Sequence, residues 1–158
     1  MILTIYMSIF LVLVCVDMGI KQYIEDIFED SEERETVIPG IVFRKVYNKG
    51  FAFNVLERAP GMIQKCSLCA AVWIFVYDCW LFTRKKRTAA KLGMALVSAG
   101  AVSNVYDRLI RGKVIDYIGM KAEKKKFSKL TANLADLYLM LGAVIYNLSR
   151  IAHARKRK

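Results

Sequence analysis

Four runs of apolar residues, at about 2–24, 62–82, 89–110 and 131–152, occupy most of this chain. A helix needs about 20 predominantly apolar residues to cross the hydrocarbon of a bilayer, and each run approaches that length. A soluble domain of 158 residues would have to bury all four runs around one small core. The alternative is a membrane solvent that welcomes apolar surface. Charge agrees with it: the chain is 56% hydrophobic yet carries a net charge of +11, and its Lys and Arg residues flank the apolar runs. They do not form a stripe along one amphipathic face, which argues against nucleic-acid binding. The expected fold is an all-α integral membrane protein of one domain, residues 1–158. It has four transmembrane helices and extramembrane segments at 25–61 and 111–130, the first holding a small β-containing part.

The first run carries no basic residues ahead of it and no small-residue cleavage site, so it reads as a retained helix and not as a signal peptide. Residues 25–35 are strongly acidic and are expected to be solvated. Residues 37–46 are β-branched around Pro39-Gly40 and favour short strands. With four spans both termini share a side, and so do the basic cluster at 84–91 and the basic tail. The positive-inside rule makes that side cytoplasmic. The run at 123–126 reads as a solvated loop. Cys15, Cys66, Cys69 and Cys79 lie within apolar runs and are expected as free thiols. Cys66 and Cys69 have no second pair, and His153 is the one histidine, so no zinc ligand set is in prospect.

An ionisable group inside a span costs roughly 2.5–3.5 kcal/mol on insertion scales, so each one needs a reason. Asp17 and Lys21 share a helix face at i, i+4. Gly100, Asn104 and Arg108 make one polar stripe, with Asp107 a turn after Asn104, and such a stripe must face the bundle or an aqueous cavity. Asn133 and Asp136 repeat the theme on the last run, and Asp116 sits in the extended-looking segment 114–118 between them. Asp78, near the other end of the second run, reads as an interfacial group within reach of Arg84 or water. Asp17, Asn48, Asn104, Arg108, Asp116, Asn133 and Asp136 can then gather at one depth in the outer leaflet. Interhelical hydrogen bonding accounts for the asparagines. It accounts poorly for two aspartates. Two carboxylates in a partly apolar site cannot both ionise easily, so one keeps a proton while the other is a base. Such a pair can hydrolyse a peptide bond with water. His153 is too far along its helix to serve a serine or cysteine nucleophile. Arg108 is expected to be held by backbone or carboxylate partners.

These motifs resemble the lipoprotein signal peptidase family over nearly the whole chain. Asp17 and Lys21 match its first-helix aspartate and lysine, with Met18 in place of a glutamine. Asn48-Lys49-Gly50-Phe51-Ala52-Phe53 matches Asn-x-Gly-Ala-Ala-Phe, with Phe51 replacing an alanine. The run from Gly100 through Asn104 and Arg108 to Asp116 matches the long third motif, and Ala132-Asn133-Leu134-Ala135-Asp136 matches the last. Ala99, Ser103 and Ala132 depart from the family pattern beside the polar positions. The resemblance implies that Asp116 and Asp136 are the catalytic pair. It implies that Asn48, Asn104, Arg108, Asn133, Asp17, Lys21, Gly100 and Ala135 bind substrate or support the dyad. It also implies a monomer in the bacterial cytoplasmic membrane with its site toward the extracytoplasmic face. There it removes signal peptides from prolipoproteins bearing a diacylglyceryl cysteine, without metal or organic cofactor, with a strand-like region at 37–53 cradling the substrate and a loop between the third and fourth helices covering it. Two other classes remain: a small four-helix transporter, whose acids belong near mid-membrane with access from both sides, and a non-catalytic adaptor whose polar stripe is glue. The Gly-x-Gly-Asp motif of the other large class of membrane aspartic proteases is absent.

Overall fold

The computed structural model describes residues 2–30, 32–50, 59–121 and 130–155. The expectations for Phe51, Ala52 and Phe53, for the loop at 122–129 and for the tail at 156–158 lie outside them. Helix α1 spans Ile2–Ile27, strands β1 and β2 span Glu33–Glu35 and Ile41–Asn48, and helices α2 and α3 span Pro60–Phe82 and Thr88–Tyr106. A π-helical turn, Asp107–Arg111, leads to β3 at Val114–Met120, β4 at Thr131–Ala132 and helix α4 at Leu134–Arg155.

Local chemistry sets several of these limits. Pro60 opens α2 at a position where no amide hydrogen is needed. Gly112 takes a left-handed φ of 70° to stop the π-helical turn. The third run therefore ends as an α-helix at 106 and widens into the π-helical turn, where the apolar pattern alone predicts a continuous helix to 110. The fourth run begins as strand and not as helix: Ala132 and Thr131 pair with Ile118 and Gly119, and α4 starts after Asn133. The strand expected within 37–46 is β2, which covers 41–46 of that segment and runs on to Asn48. Pro39-Gly40 is a turn, Gly40 having a φ of 82°, and the strand follows it. The acidic segment, expected only to be solvated, supplies exposed β1, where Glu33 pairs with Arg44.

The four strands form one antiparallel sheet in the order β1-β2-β3-β4. A bulge between Phe43 and Val46 shifts the β2 register beside Asp116, which pairs with Val46. Bulges of this kind re-aim a side chain. The sheet caps one end of the helices through an apolar cluster of Ile24, Phe28, Ile115 and Tyr117. A second cluster, Leu81, Ala90 and Met94 with Tyr77 and Tyr146, closes the opposite end.

Helix α3 is the centre of the bundle, packed by α1, α2 and most extensively α4. It is rich in Gly, Ala and Ser, and its buried face includes Gly93, Ala95, Ala99, Gly100 and Ser103. Helices α1, α2 and α4 are long and apolar enough to cross a membrane. Helix α3 is not among those three, because a helix enclosed by others gains from small residues and not from large apolar ones. Outward, the bundle shows apolar side chains such as Trp73, Phe75 and Met140. The molecule is mostly helical and membrane-embedded in character, with a small antiparallel sheet at one end.

Candidate active site

Asn133 is the hinge of the site. It caps α4: its Oδ1 accepts from the Asp136 amide at 2.9 Å, and the Asp136 carboxylate accepts in return from the Asn133 amide at 3.2 Å. This is a reciprocal capping box with aspartate in the place of glutamate. The side-chain amide of Asn133 then donates to Asp116 Oδ1 at 2.8 Å. One residue thus ties the two carboxylates together, one from β3 and one from the first turn of α4. Asn48, at the end of β2, donates to the other oxygen of Asp116 at 3.1 Å. Asn104, on α3, donates to Asp136 Oδ1 at 2.9 Å. Asp116 is 2% exposed. Burial, together with the charge of Asp136, pushes its carboxyl up to about 6, against the lowering effect of the Asn48 and Asn133 amides.

A second layer orients the first. Lys21 is fully buried and lies 2.7 Å from Asp17 and 3.0 Å from Asp107. It also donates to Ser103 Oγ at 3.1 Å and to Asn104 Oδ1 at 3.0 Å. The last bond matters for the site, because an amide whose oxygen faces an ammonium must turn its nitrogen toward Asp136. Asp17 serves α4 directly. Its Oδ1 accepts from the Ala135 amide at 3.2 Å and from the Tyr117 hydroxyl at 3.0 Å, and that hydroxyl accepts from the Leu134 amide at 3.1 Å. The first three amides of α4 are all satisfied by side chains, and a carboxylate rests at the positive end of the helix. Burial, then the charge of Asp17, raises the Tyr117 phenol above its ordinary range, so it keeps the proton it donates. Asp107 is held in turn by Arg111 at 3.0 Å.

Arg108 binds backbone: its guanidinium donates to the carbonyls of Asn104 and Gly50, each at 3.2 Å, which meets the expectation of a planar fork on fixed acceptors. It joins the end of α3 to the segment after β2. Gln64 of α2 donates to the Arg108 carbonyl at 2.7 Å. Gly100 and Ala135 are neighbours across the α3–α4 seam, where a Cβ on Gly100 would collide with the Ala135 carbonyl.

All ten residues singled out in the sequence therefore meet in one network. Ser103, Asp107, Tyr117 and Gln64 belong to it without having been assigned a part. Asp107 carried a signal, standing a turn beyond Asn104. Tyr117 and Gln64 carried none, since an isolated aromatic or amide at a run's edge has no pattern. Asp78 corrects an expectation. Its partner among the described residues is not Arg84. Ser98 on α3 donates to its carboxylate, while Arg84 stacks on Trp80 at 4.6 Å, because the Asp78 side of α2 faces α3.

Comparison with known proteins gives a consistent result. A family model described as signal peptidase (SPase) II matches residues 9–152. A lipoprotein signal peptidase of Sinorhizobium fredii is 34% identical, over 94% of this chain and 87% of its own length. A lipoprotein signal peptidase of Brucella ovis is 29% identical, over 98% and 95%. Among solved structures, a bacterial membrane enzyme determined in meso at 2.3 Å resolution superposes with a TM-score of 0.82. It shares 21% identity, with 98% of this chain and 92% of that one covered. A second, at 1.9 Å resolution, gives 0.76 over 92% of each chain. At that identity the likeness concerns the fold.

Proposed function

The chain belongs to the signal peptidase II family, and on that premise we propose that Asp116 and Asp136 are the catalytic pair of a membrane aspartic endopeptidase. The observation that carries the assignment is the double anchoring of two carboxylates by Asn133, at the mouth of a capped helix, with amide donors on both. The pair titrates as a unit and holds one proton between its carboxyls. The ionised member takes a proton from water, whose oxygen forms a bond to the scissile carbonyl carbon. The protonated member gives its proton to the carbonyl oxygen. Collapse of the tetrahedral diol breaks the C–N bond, the nitrogen takes up a proton, and the pair returns to its starting state.

The substrates are prolipoproteins whose signal peptide is cut before a diacylglyceryl-modified cysteine. The chain acts as a monomer of four spans, 2–24, 62–82, 89–110 and 131–152, within a single domain, with α3 as the enclosed span. Both termini face the cytoplasm, and the dyad lies toward the extracytoplasmic face of the bacterial cytoplasmic membrane. Support for this arrangement comes from the basic link between α2 and α3 and from Arg155 at the last turn of α4, both at the end of the bundle opposite the dyad. The depth suits a lipidated substrate, whose acyl chains remain in the leaflet while the peptide bond meets the carboxylates. The acids gather toward one end, which disfavours a transporter with paired access, and family membership disfavours a passive adaptor.

The test is cleavage of a diacylglyceryl-modified prolipoprotein peptide by detergent-purified protein. Asp116→Asn and Asp136→Asn, each with native thermal stability checked, are expected to lose about 10²–10⁴-fold in rate. Cleavage by either variant at the native rate would show that other carboxylates do the chemistry.

A further inference from the structure

From the end of the bundle opposite the dyad, an open trough of about 430 Å³ runs between α1, α2 and α3 past their middle, walled by Met7, Phe10, Ala71, Phe75 and Val102. That is within the roughly 300–1,000 Å³ of sites that hold small molecules. Leu3 and Phe82 line both this trough and a second cavity, of about 330 Å³, walled by Arg84, Lys85, Lys86, Arg87 and Lys91. The two adjoin at those side chains, so that the depression pairs an apolar trough with a cationic mouth.

The mouth contains cations without counter-charges. Lys91 is 9% exposed, and its ammonium makes a single long hydrogen bond among the described residues, 3.4 Å to the Phe82 carbonyl. Beyond that it has only the face of the Phe82 ring, at 5.5 Å. Arg84 and Arg87 rest on Trp80 at 4.6 and 6.0 Å. None of Arg84, Arg87 and Lys91 is in an ion pair among the described residues, whereas Lys21, the other deeply buried lysine, has two carboxylates. A nearly buried ammonium among like charges is costly until an anion reaches it. Helix α3 also begins here without a side-chain cap, leaving first-turn amides for the same anion. In the trough the one acid, Asp78, accepts from Ser98 through one carboxylate oxygen, and its other oxygen is buried without a hydrogen bond among the described residues.

We propose that this depression binds one anionic phospholipid, its phosphate held by Lys91, Arg87 and Arg84 and one acyl chain lying in the trough between α1 and α2. The pairing of charge and apolar length selects the occupant. A soluble anion would leave the trough bare, and a zwitterionic lipid would bring its own cation to a mouth already full of them. Which leaflet supplies the lipid follows from the orientation proposed above; the site itself does not depend on it.

The experiment is native mass spectrometry and thermal unfolding of the full chain in detergent with dioleoyl phosphatidylglycerol, dioleoyl phosphatidylcholine or inorganic phosphate. The native chain is expected to retain one phosphatidylglycerol and to unfold at higher temperature with it than with phosphatidylcholine or phosphate. Lys91→Gln and the surface double variant Arg84→Gln/Arg87→Gln should weaken retention at least tenfold. Ala71→Phe, which fills the trough and leaves charge unchanged, should do the same. Arg155→Gln, a charge-matched change outside the depression, should retain the lipid. Cleavage of the prolipoprotein peptide, unchanged in all four, reports that each is folded. The proposal is overturned if Ala71→Phe retains the lipid as well as the native chain, if Arg155→Gln loses it as much as Lys91→Gln, or if phosphate alone stabilises equally.

Discussion

Asp116 shows how a single residue is tuned by where the chain puts it. A carboxyl with an ordinary value of 3.8 is lifted to about 6 first by burial and then by Asp136. As pH rises through that window the unfolded chain gives up this proton before the folded one does, so ionising Asp116 lowers stability between about pH 4 and pH 6 and has no further effect above. The full effect is at most roughly 3 kcal/mol. Replacement by asparagine removes the ionisation, and the melting temperature of Asp116→Asn relative to the native chain should therefore climb from pH 4 to pH 7 and then level off. Thermal unfolding in detergent at a series of pH values checks this, and a difference that does not vary with pH would show that the folded site does not resist the charge. Lys21 illustrates the opposite case. Its charge is buried completely but is met by Asp17 and Asp107, and removing one partner from a buried ion pair commonly costs about 3–5 kcal/mol. The i, i+4 spacing of Asp17 and Lys21 was legible in the sequence. The contacts of Lys21 with Ser103, Asn104 and Asp107, some 80 residues away in the chain, were not, since no local pattern reports a partner on another helix.

At the scale of elements, the seam between α3 and α4 decides whether the dyad is held. A Cβ on Gly142 would come within 2.8 Å of the Val97 amide, and one on Gly93 within 2.7 Å of the Tyr146 amide. Backbones this close are typical of membrane helices joined through small residues. Gly100→Ala and Gly142→Ala are both expected to lower stability by about 1–3 kcal/mol through overpacking. Their effects on catalysis should differ. Gly100 presses on Ala135, next to Asp136, so its substitution should reduce kcat/KM by at least about tenfold, the scale of a 1.4 kcal/mol loss. Gly142 lies about two turns further along α4, and Gly142→Ala should keep most of the activity. Equal losses of activity in the two would mean that the seam acts on the fold alone. The existence of the helices could be read from the apolar runs. The start of α4 could not, because Thr131 favours a strand and Ala132 a helix, and the decision falls to pairing with β3 and capping by Asn133.

On the scale of the molecule, the surface is the reverse of a soluble protein's. Large apolar side chains face outward, with Trp73 at 74% and Phe75 at 68% exposure, while Asp17, Lys21, Asp107 and Asn133 are wholly enclosed. Charge divides along the long axis, the dyad at one end and the basic link between α2 and α3 at the other. In a background with Cys15, Cys66, Cys69 and Cys79 changed to alanine, a membrane-impermeant maleimide should label Lys121→Cys in intact spheroplasts and Lys85→Cys only after lysis. The reverse pattern would invert the proposed orientation. The apolar runs, their basic flanks and the ordered polar motifs already determined the membrane environment, the helical class and the family, and singled out the ten candidate residues, because each of those signals is local in the chain. Tertiary structure alone decided that β3 and α4 bring Asp116 and Asp136 to one asparagine, that Lys21 turns the Asn104 amide, and that an apolar trough meets a cationic mouth. Those depend on which faces of separate elements pack together, and packing is a property of the whole chain.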